Sequence, residues 1–149
     1  MEQLWLEDVH VGDEFVSPEI TVTADEIIAF AKQYDPQPFH TDPEAAKSTF
    51  FGGLAASGWH TAALTMRMLV TGGPKIGGGT IGANGELAWP SPTRPGDRLH
   101  IKVTVESVTA SKSRPDRGST MLRVETLTHE NEVRQVFTVR TLLFARPTA

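Results

Sequence analysis

An aspartate and a histidine lie five residues apart in a proline-rich segment of the chain. Asp35 and His40 belong to the run Tyr-Asp-Pro-Gln-Pro-Phe-His-Thr-Asp-Pro, which spans residues 34–43. A carboxylate beside an imidazole can bind water and move protons near neutral pH. The prolines fix φ and remove amide donors, which predicts a stiff, non-helical loop that holds the two groups at a set separation. The alternative is an ordinary helix-ending turn, in which Asp35 accepts backbone amides and His40 is a surface group.

A second polar position precedes the most apolar helix of the sequence. The segment Phe50-Phe51-Gly52-Gly53 leads to Ser57-Gly58-Trp59, and hydrophobic residues then recur to about Val70. A helix N-terminus exposes unsatisfied amides and a partial positive charge, so the Gly58 N–H is a candidate oxyanion donor. Glycine also allows a ligand to approach the backbone closely. The alternative is a plain serine N-cap followed by a packing glycine.

These two segments together resemble the MaoC-like dehydratases, relatives of the (R)-specific enoyl-CoA hydratases that have the hotdog fold. The motif of that family reads Gly-Asp-x-Asn-Pro-aliphatic-His-x-Asp. Asp35, Pro38, His40 and Asp42 are in register with it. The Ser-Gly pair before the apolar helix and the later Arg-Pro-Gly-Asp at residues 94–97 are also similar to the family.

The resemblance implies an activity and assigns roles to residues. The activity is the reversible hydration of a 2-enoyl thioester, or the dehydration of the 3-hydroxyacyl form. Asp35 and His40 would activate the water, and the Gly58 amide would form the oxyanion hole. Four residues would bind substrate: Ser57, Gln37, Phe39 and Trp59. The thioester carrier would be coenzyme A or an acyl carrier protein, and no metal or other cofactor is expected.

Three positions depart from the motif and leave the identity of the substrate open. Tyr34 replaces the glycine before the aspartate, Gln37 stands where the family has Asn, and Phe39 replaces an aliphatic residue. Glutamine can still donate and accept hydrogen bonds, but its longer side chain places the amide differently. The aspartate and the histidine are unaffected by these departures.

Two other functions remain open from the sequence. A hotdog thioesterase would use a carboxylate near the helix against the thioester carbonyl, and no acidic residue occurs between Gly52 and Val70. A non-catalytic module that binds acyl thioesters would keep the fold without a working pair of side chains. The family resemblance also implies a homodimer, or a dimer of dimers.

Composition limits the class of protein. The chain has 149 residues, which suits one domain over 1–149, with a net charge of −4 and a pI near 5.7. This charge argues against a nucleic-acid partner. Absence of cysteine excludes disulfides and thiolate chemistry and fits the cytoplasm. No apolar run approaches the ~20 residues that span a bilayer, and the N-terminus lacks the basic region of a signal peptide.

Periodicity predicts an α+β fold in which a curved antiparallel sheet wraps around one buried helix. Strands are predicted at 14–22, 80–89 and 99–105, with a bulge near 107–108 and a hairpin formed by 121–128 and 133–144. A helix capped by Thr23 should end at Asp35, because Pro36 disfavours helical conformation there. The apolar helix at 57–70 is expected to bury the face formed by Trp59, Ala62, Ala63, Met66, Leu69 and Val70.

Several other polar residues have competing interpretations. Asp42 is interpreted as the N-cap of a short helix rather than as a third catalytic carboxylate. His60 could be a core histidine or could line the pocket. The cluster of Lys112, Arg114 and Arg117 could meet the phosphates of coenzyme A, although exposed charges of this kind are usually just solvated.

Overall fold

The computed structural model describes residues 2–148, which form an antiparallel sheet of six strands and four α-helices. The helices are α1 (Ala24–Tyr34), α2 (Pro38–Thr41), α3 (Pro43–Ala46) and α4 (Gly58–Gly72). The strands are β1 (Glu14–Val16), β2 (Ile20–Thr21), β3 (Ile81–Ala88), β4 (Arg98–Ala110), β5 (Arg117–Thr128) and β6 (Val133–Phe144). No helix within residues 2–148 is long and apolar enough to cross a membrane.

The strand order in the sheet is β1-β4-β5-β6-β3, and β2 also pairs with β4. The predicted antiparallel hairpin of β5 and β6 is confirmed, as is the bulge, because the β4–β5 register shifts between Val105 and Ser107. The single strand predicted over 14–22 is wrong in detail. It forms two short strands, which are separated by Ser17-Pro18-Glu19, and Pro18 lacks the amide donor that a continuous ladder needs.

The core lies between one face of the sheet and the helices. Strand β4 alternates between buried and more exposed residues from Arg98 to Val105, and four of its side chains are at most 1% exposed: Leu99, Ile101, Val103 and Val105. They belong to one buried cluster with Ile27 of α1 and Leu69 of α4. This alternation is the pattern expected of a strand with one face against the core.

Local capping explains where the first helix begins and ends. The hydroxyl of Thr23 accepts from the backbone N–H of Glu26 at 3.2 Å and donates to the Glu26 carboxylate at 2.9 Å. Asp35 is the C-cap residue, and its N–H donates to the carbonyl of Ala31 at 2.8 Å. The helix therefore delivers Asp35 to the loop at its end, as the sequence predicts.

The segment after Asp35 differs from the prediction of a non-helical loop. Pro38 begins the single helical turn α2, which contains His40. Proline fits the first position of a helix because its missing N–H would have no partner there. Asp42 then caps α3, and its carboxylate accepts from the N–H groups of Glu44 and Ala45 at 3.0 and 3.2 Å. The prediction that Asp42 is an N-cap is confirmed.

Helix α4 contradicts the expected direction of its apolar face. Its buried residues are His60, Thr61, Thr65, Met68 and Leu69. In contrast, Trp59, Met66 and Val70 are 60%, 41% and 56% exposed. The sheet therefore covers only one side of this helix, and that side carries several polar groups.

Candidate active site

Asp35 and His40 meet at the junction of α1 and α2. The Nε2 atom of His40 lies 3.3 Å from Oδ2 of Asp35, and their side chains are 6% and 19% exposed. Asp35 reaches this point because α1 ends there, and His40 reaches it because α2 turns the chain back. The structure therefore brings together the two residues that the sequence proposed as a pair.

The tautomer of His40 follows from its other ring nitrogen. Nδ1 lies 2.6 Å from the backbone carbonyl oxygen of Ala55. Because a carbonyl only accepts, Nδ1 must carry the hydrogen, and Nε2 of the neutral ring is an acceptor. Two acceptors, Nε2 and the Asp35 Oδ2, then face the same space. A water molecule can donate one hydrogen to each, or a protonated His40 can donate directly to Asp35.

The carboxylate of Asp35 is held by two further donors. Nε2 of Gln37 donates to Oδ1 at 2.6 Å, and the hydroxyl of Ser57 donates to Oδ2 at 2.7 Å. Burial raises the pKa of the Asp35 carboxyl, but the hydrogen bonds from Gln37 and Ser57 and the charge of His40 outweigh it, so the pKa lies below its ordinary value. Asp35 is therefore an anion at neutral pH.

Gly58 begins α4 directly after its N-cap, Ser57. Within residues 2–148 the N–H of Gly58 has no hydrogen-bond partner, whereas the N–H of Trp59 donates to the Ser57 hydroxyl at 3.3 Å. A side chain at Gly58 would meet the indole of Trp89, since a Cβ there would lie 2.7 Å from Trp89 Cε2. The glycine thus leaves one amide free and also admits the indole, so the two interpretations of this position are compatible.

A cavity of about 490 Å³ connects these groups. Asp35, His40 and Gly58 line it. Most of the remaining wall is apolar and comes from Phe50, Phe51, Trp59, Trp89, Pro90 and Pro92. A largely apolar cavity with a few converging polar groups is typical of small-molecule sites.

Arg94 fixes the segment that carries one wall of this cavity. Its guanidinium donates to the carbonyls of Phe51, Gly53 and Leu54 at 2.5, 3.1 and 3.2 Å. These three carbonyls lie in residues 51–54, just before Ala55, whose own carbonyl accepts a hydrogen bond from His40. A planar guanidinium can satisfy several carbonyls at once, which makes Arg94 a rigid support for this wall.

The other residues predicted to bind substrate have different positions. Trp59 lines the cavity, but Ser57, Gln37 and Phe39 are not among its lining residues. Ser57 is fully buried as an N-cap, and Gln37 holds Asp35 from the solvent side. Phe39 packs behind the site, with its ring centroid 4.6 Å from that of His40.

Two further candidates lie outside the cavity wall. His60 is buried and stacks on Phe30 at 4.7 Å, so the structure favours the core interpretation of this histidine. Lys112, Arg114 and Arg117 lie at the hairpin between β4 and β5. Arg94 and Asp97 lie at the opposite end of β4. Because a strand of 13 residues is on the order of 40 Å long, the basic cluster is far from the cavity wall that Arg94 supports.

The family of the chain follows from its sequence. A family model described as the MaoC like domain matches residues 8–129, a range that contains every residue of the site. The chain belongs to the MaoC-like family. The resemblance drawn from the two motifs is therefore confirmed.

Solved structures and a curated relative agree with this assignment. The MaoC-like dehydratase from Rhodospirillum rubrum is 55% identical, with a TM-score of 0.96 over 97% of this chain and 99% of that one. The R-hydratase PhaJ1 from Pseudomonas aeruginosa shares the fold at 21% identity, with a TM-score of 0.75 over 97% and 88% of the two chains. A 3-hydroxybutyryl-CoA dehydratase from Methylorubrum extorquens is 32% identical over 74% of this chain and 69% of its own length. These neighbours confirm the α+β hotdog fold.

The sequence did not predict the residues that complete this MaoC-like site. Trp89, Pro90 and Pro92 follow β3 and line the same cavity as Asp35 and His40. A tryptophan within a short proline-rich segment after a strand is the one local signal that could have drawn attention to them. For Arg94, the sequence shows only that it belongs to the Arg-Pro-Gly-Asp motif.

Proposed function

We propose that this MaoC-like protein is a hydro-lyase that reversibly hydrates 2-enoyl thioesters, with coenzyme A as the carrier. The observation that carries the proposal is the pair of acceptors formed by Asp35 Oδ2 and His40 Nε2, 3.3 Å apart at the cavity. Family membership and the similarity to a 3-hydroxybutyryl-CoA dehydratase support it. The absence of cysteine is consistent with work in the cytoplasm.

The proposed mechanism uses three groups of the chain. Water donates one hydrogen bond to Asp35 and the other to His40, which directs its oxygen at C3 of the substrate. The thioester oxygen accepts from the N–H of Gly58, where the partial positive charge at the start of α4 stabilises the developing enolate. As the water oxygen bonds to C3, its proton passes to the pair, and a proton from the pair reaches C2.

Substitution of the pair tests the proposal. Asp35→Asn and His40→Ala should each lower kcat by ~10²–10⁴-fold on a short 2-enoyl-CoA, as is typical for a group that transfers protons. The double variant should lose little more than either single variant, because the two groups act on one water. Asp42→Asn is the matched control, since asparagine also serves as an N-cap and the exposed Asp42 is outside the cavity.

The products distinguish hydration from thioester hydrolysis. Hydration removes the absorbance of the conjugated enone without releasing free thiol, and attack from one fixed side should give a single enantiomer of the 3-hydroxyacyl product, which we propose is (R). Release of thiol at the same rate as loss of the enone would replace this proposal with a thioesterase. Near-wild-type turnover by either single variant would remove the pair from the mechanism.

We further propose that the protein acts as a homodimer. Strand β3 is at the edge of the sheet, where within residues 2–148 it pairs only with β6, and its residues are almost all exposed. An unprotected edge of eight residues invites pairing with another strand. The exposed apolar residues Trp59, Met66 and Val70 of α4 give a second surface that favours association. A two-fold contact would use the same surfaces of both copies.

A further inference from the structure

The indole of Trp89 is packed against the first residue of α4. A Cβ on Gly58 would lie within 2.9 Å of three atoms of this ring, so the indole occupies the space that a side chain would take there. The ring also meets the edge of Trp59, with centroids 5.6 Å apart and an angle of 78° between the planes. Trp89 therefore forms the cavity wall directly beside the Gly58 amide.

A buried hydrogen-bond network fixes the orientation of this indole. Its Nε1–H donates to Oε1 of Gln135 at 2.9 Å, and Gln135 is fully buried. Nε2 of Gln135 donates to the hydroxyl of Thr65 at 3.0 Å. The Thr65 hydroxyl donates to the carbonyl of Thr61 at 2.8 Å, so it must accept from Gln135 and from Thr126, whose hydroxyl is 2.6 Å away.

This network makes Trp89 unlike the other tryptophan of the cavity. A buried glutamine whose amide is satisfied at both ends has little freedom, because any rotation leaves a polar atom without a partner. The two residues are both partly exposed, Trp59 at 60% and Trp89 at 42%, but the indole of Trp59 has no hydrogen bond within residues 2–148. Trp89 is therefore anchored by a buried hydrogen bond that Trp59 lacks.

We propose that Trp89 is a specificity-determining residue that excludes substituents at C2 of the acyl group. This inference rests on the proposed function, which puts the thioester oxygen at the Gly58 amide and C3 at Asp35 and His40. C2 then lies between the two, next to the fixed indole. A methyl group on C2 needs ~3.5–4.0 Å to the nearest carbon atoms, and the held ring does not yield that space. The substrate class is therefore acyl thioesters that are unbranched at C2.

Binding of two isomeric saturated thioesters tests this inference without requiring catalysis. Butyryl-CoA and isobutyryl-CoA contain the same atoms and differ in whether the fourth carbon is attached to C3 or to C2. By titration calorimetry, the wild-type protein should bind butyryl-CoA at least ~10-fold more tightly, a discrimination typical of one misplaced methyl group. Trp89→Ala should reduce this ratio to less than about threefold, because it removes the wall beside C2.

Two further variants separate the fixed wall from general effects on the cavity. Gln135→Met keeps the size of the side chain but releases the indole, and it should lower the ratio part of the way. Phe50→Ala removes another aromatic group of the cavity wall, one that does not pack on Trp89, and should leave the ratio as in the wild type. Thermal melting of each variant verifies that the fold is retained, and Trp89→Phe supplies a more conservative replacement if Trp89→Ala fails to fold.

The outcomes distinguish this inference from the proposed function. An unchanged ratio in a folded Trp89 variant, or equal binding of the two isomers by the wild type, would overturn the role of Trp89 even if crotonyl-CoA is hydrated. A ratio that falls as expected in a protein that does not hydrate any 2-enoyl-CoA would support the role of Trp89 and refute the hydratase. Absence of binding to either thioester would overturn both.

Discussion

The two sides of α4 differ from those of an ordinary surface helix, because polar residues share the buried side with Met68 and Leu69 while large apolar residues remain on the outer side. The side that faces the sheet carries Thr61 and Thr65, which are 2% and 1% exposed, whereas the side that faces away carries Trp59 and Val70, which are 60% and 56% exposed. Buried hydroxyls are tolerated only when they are hydrogen-bonded, and both of these are. The inner side thus supports the site, and the outer side is left with apolar surface that water disfavours.

The inner side of α4 supports the candidate active site, and the outer side is available for association between subunits. The inner side begins with Ser57, which holds Asp35, and continues with Thr65, which anchors Gln135 and through it Trp89. The outer side contributes only Trp59 to the cavity. Substitutions on the outer side should therefore change association between subunits, and substitutions on the inner side should change chemistry and stability.

The largest effect is expected for a charge on the outer side. Met66→Glu introduces a carboxylate at a position that is 41% exposed in one chain and that we propose is covered in the dimer. In a two-fold dimer the substitution buries one carboxylate from each subunit. This should weaken the dimer by about 3 kcal/mol or more, which is ~100-fold in its dissociation constant. Light scattering across a dilution series measures this change.

The control for that prediction is an exposed apolar residue elsewhere. Val11 is 66% exposed in a turn away from α4 and β3, so Val11→Glu makes the same kind of change outside the proposed contact. It should leave the dimer intact. A wild-type protein that scatters as a monomer at micromolar concentration, or equal weakening by both variants, would contradict the assignment of the outer side.

An intermediate effect is expected at the start of the inner side. Ser57→Ala removes the N-cap hydroxyl, at about 1 kcal/mol, and one of the two donors that hold Asp35. The loss of a hydrogen bond to a charged group should lower kcat by roughly 10- to 100-fold. The pKa of Asp35 should rise toward its ordinary value, because the Ser57 hydrogen bond lowers it. The acid limb of the pH profile should consequently move to higher pH.

Kinetics as a function of pH, together with melting curves, measure both consequences of Ser57→Ala. Ser48→Ala is the control, because Ser48 is an exposed serine whose hydroxyl bonds only to the carbonyl of Ala45. If Ser57→Ala lowered stability but left kcat and the acid limb unchanged, Ser57 would be a simple helix cap, and Asp35 would not depend on it.

The sequence predicted those parts of the molecule that depend on neighbouring residues. The cap at Thr23, the end of α1 at Asp35 and the N-cap at Asp42 involve partners within four residues. The alternation along β4 is equally local. Motif spacing identified Asp35, His40 and Gly58 for the same reason, since each motif is contiguous.

What the sequence did not predict depends on contacts between distant segments. Trp89 and Gln135 are 46 residues apart, and Thr65 and Gln135 are 70 residues apart, so no local pattern joins them. The direction of α4 was missed because periodicity shows where apolar residues recur and not what covers them. The sequence does not predict the turn α2, because prolines at 36, 38 and 43 indicate a non-helical loop, although proline at the first position of a helix is favourable.

The smallest effect is expected at His60, an inner-side residue whose buried Nδ1 is not satisfied. Its Nδ1 has no hydrogen-bond partner within residues 2–148, although the ring is buried against Phe30. Burial lowers the pKa of His60, and the charge of Glu26 opposes this shift only in part. An unpartnered buried polar atom costs ~1–3 kcal/mol, so His60→Phe, which keeps the stacked ring, should raise the free energy of unfolding by about 1 kcal/mol at pH 7.5.

The same substitution should also reduce the dependence of stability on pH. Because the pKa of His60 is lower in the folded protein, the unfolded chain binds more protons once the pH falls below about 6.5, and stability falls with pH in that range. Phenylalanine removes this contribution, so the gain from His60→Phe should be larger at pH 5.5 than at pH 7.5. Urea unfolding followed by circular dichroism at the two pH values measures it, with Ser48→Ala, an exposed substitution that removes no titratable group, as the control that should leave the dependence unchanged. A gain that is equal at both pH values would mean that His60 is protonated in the folded state as readily as in the unfolded one, and its burial on the inner side would then have no electrostatic consequence.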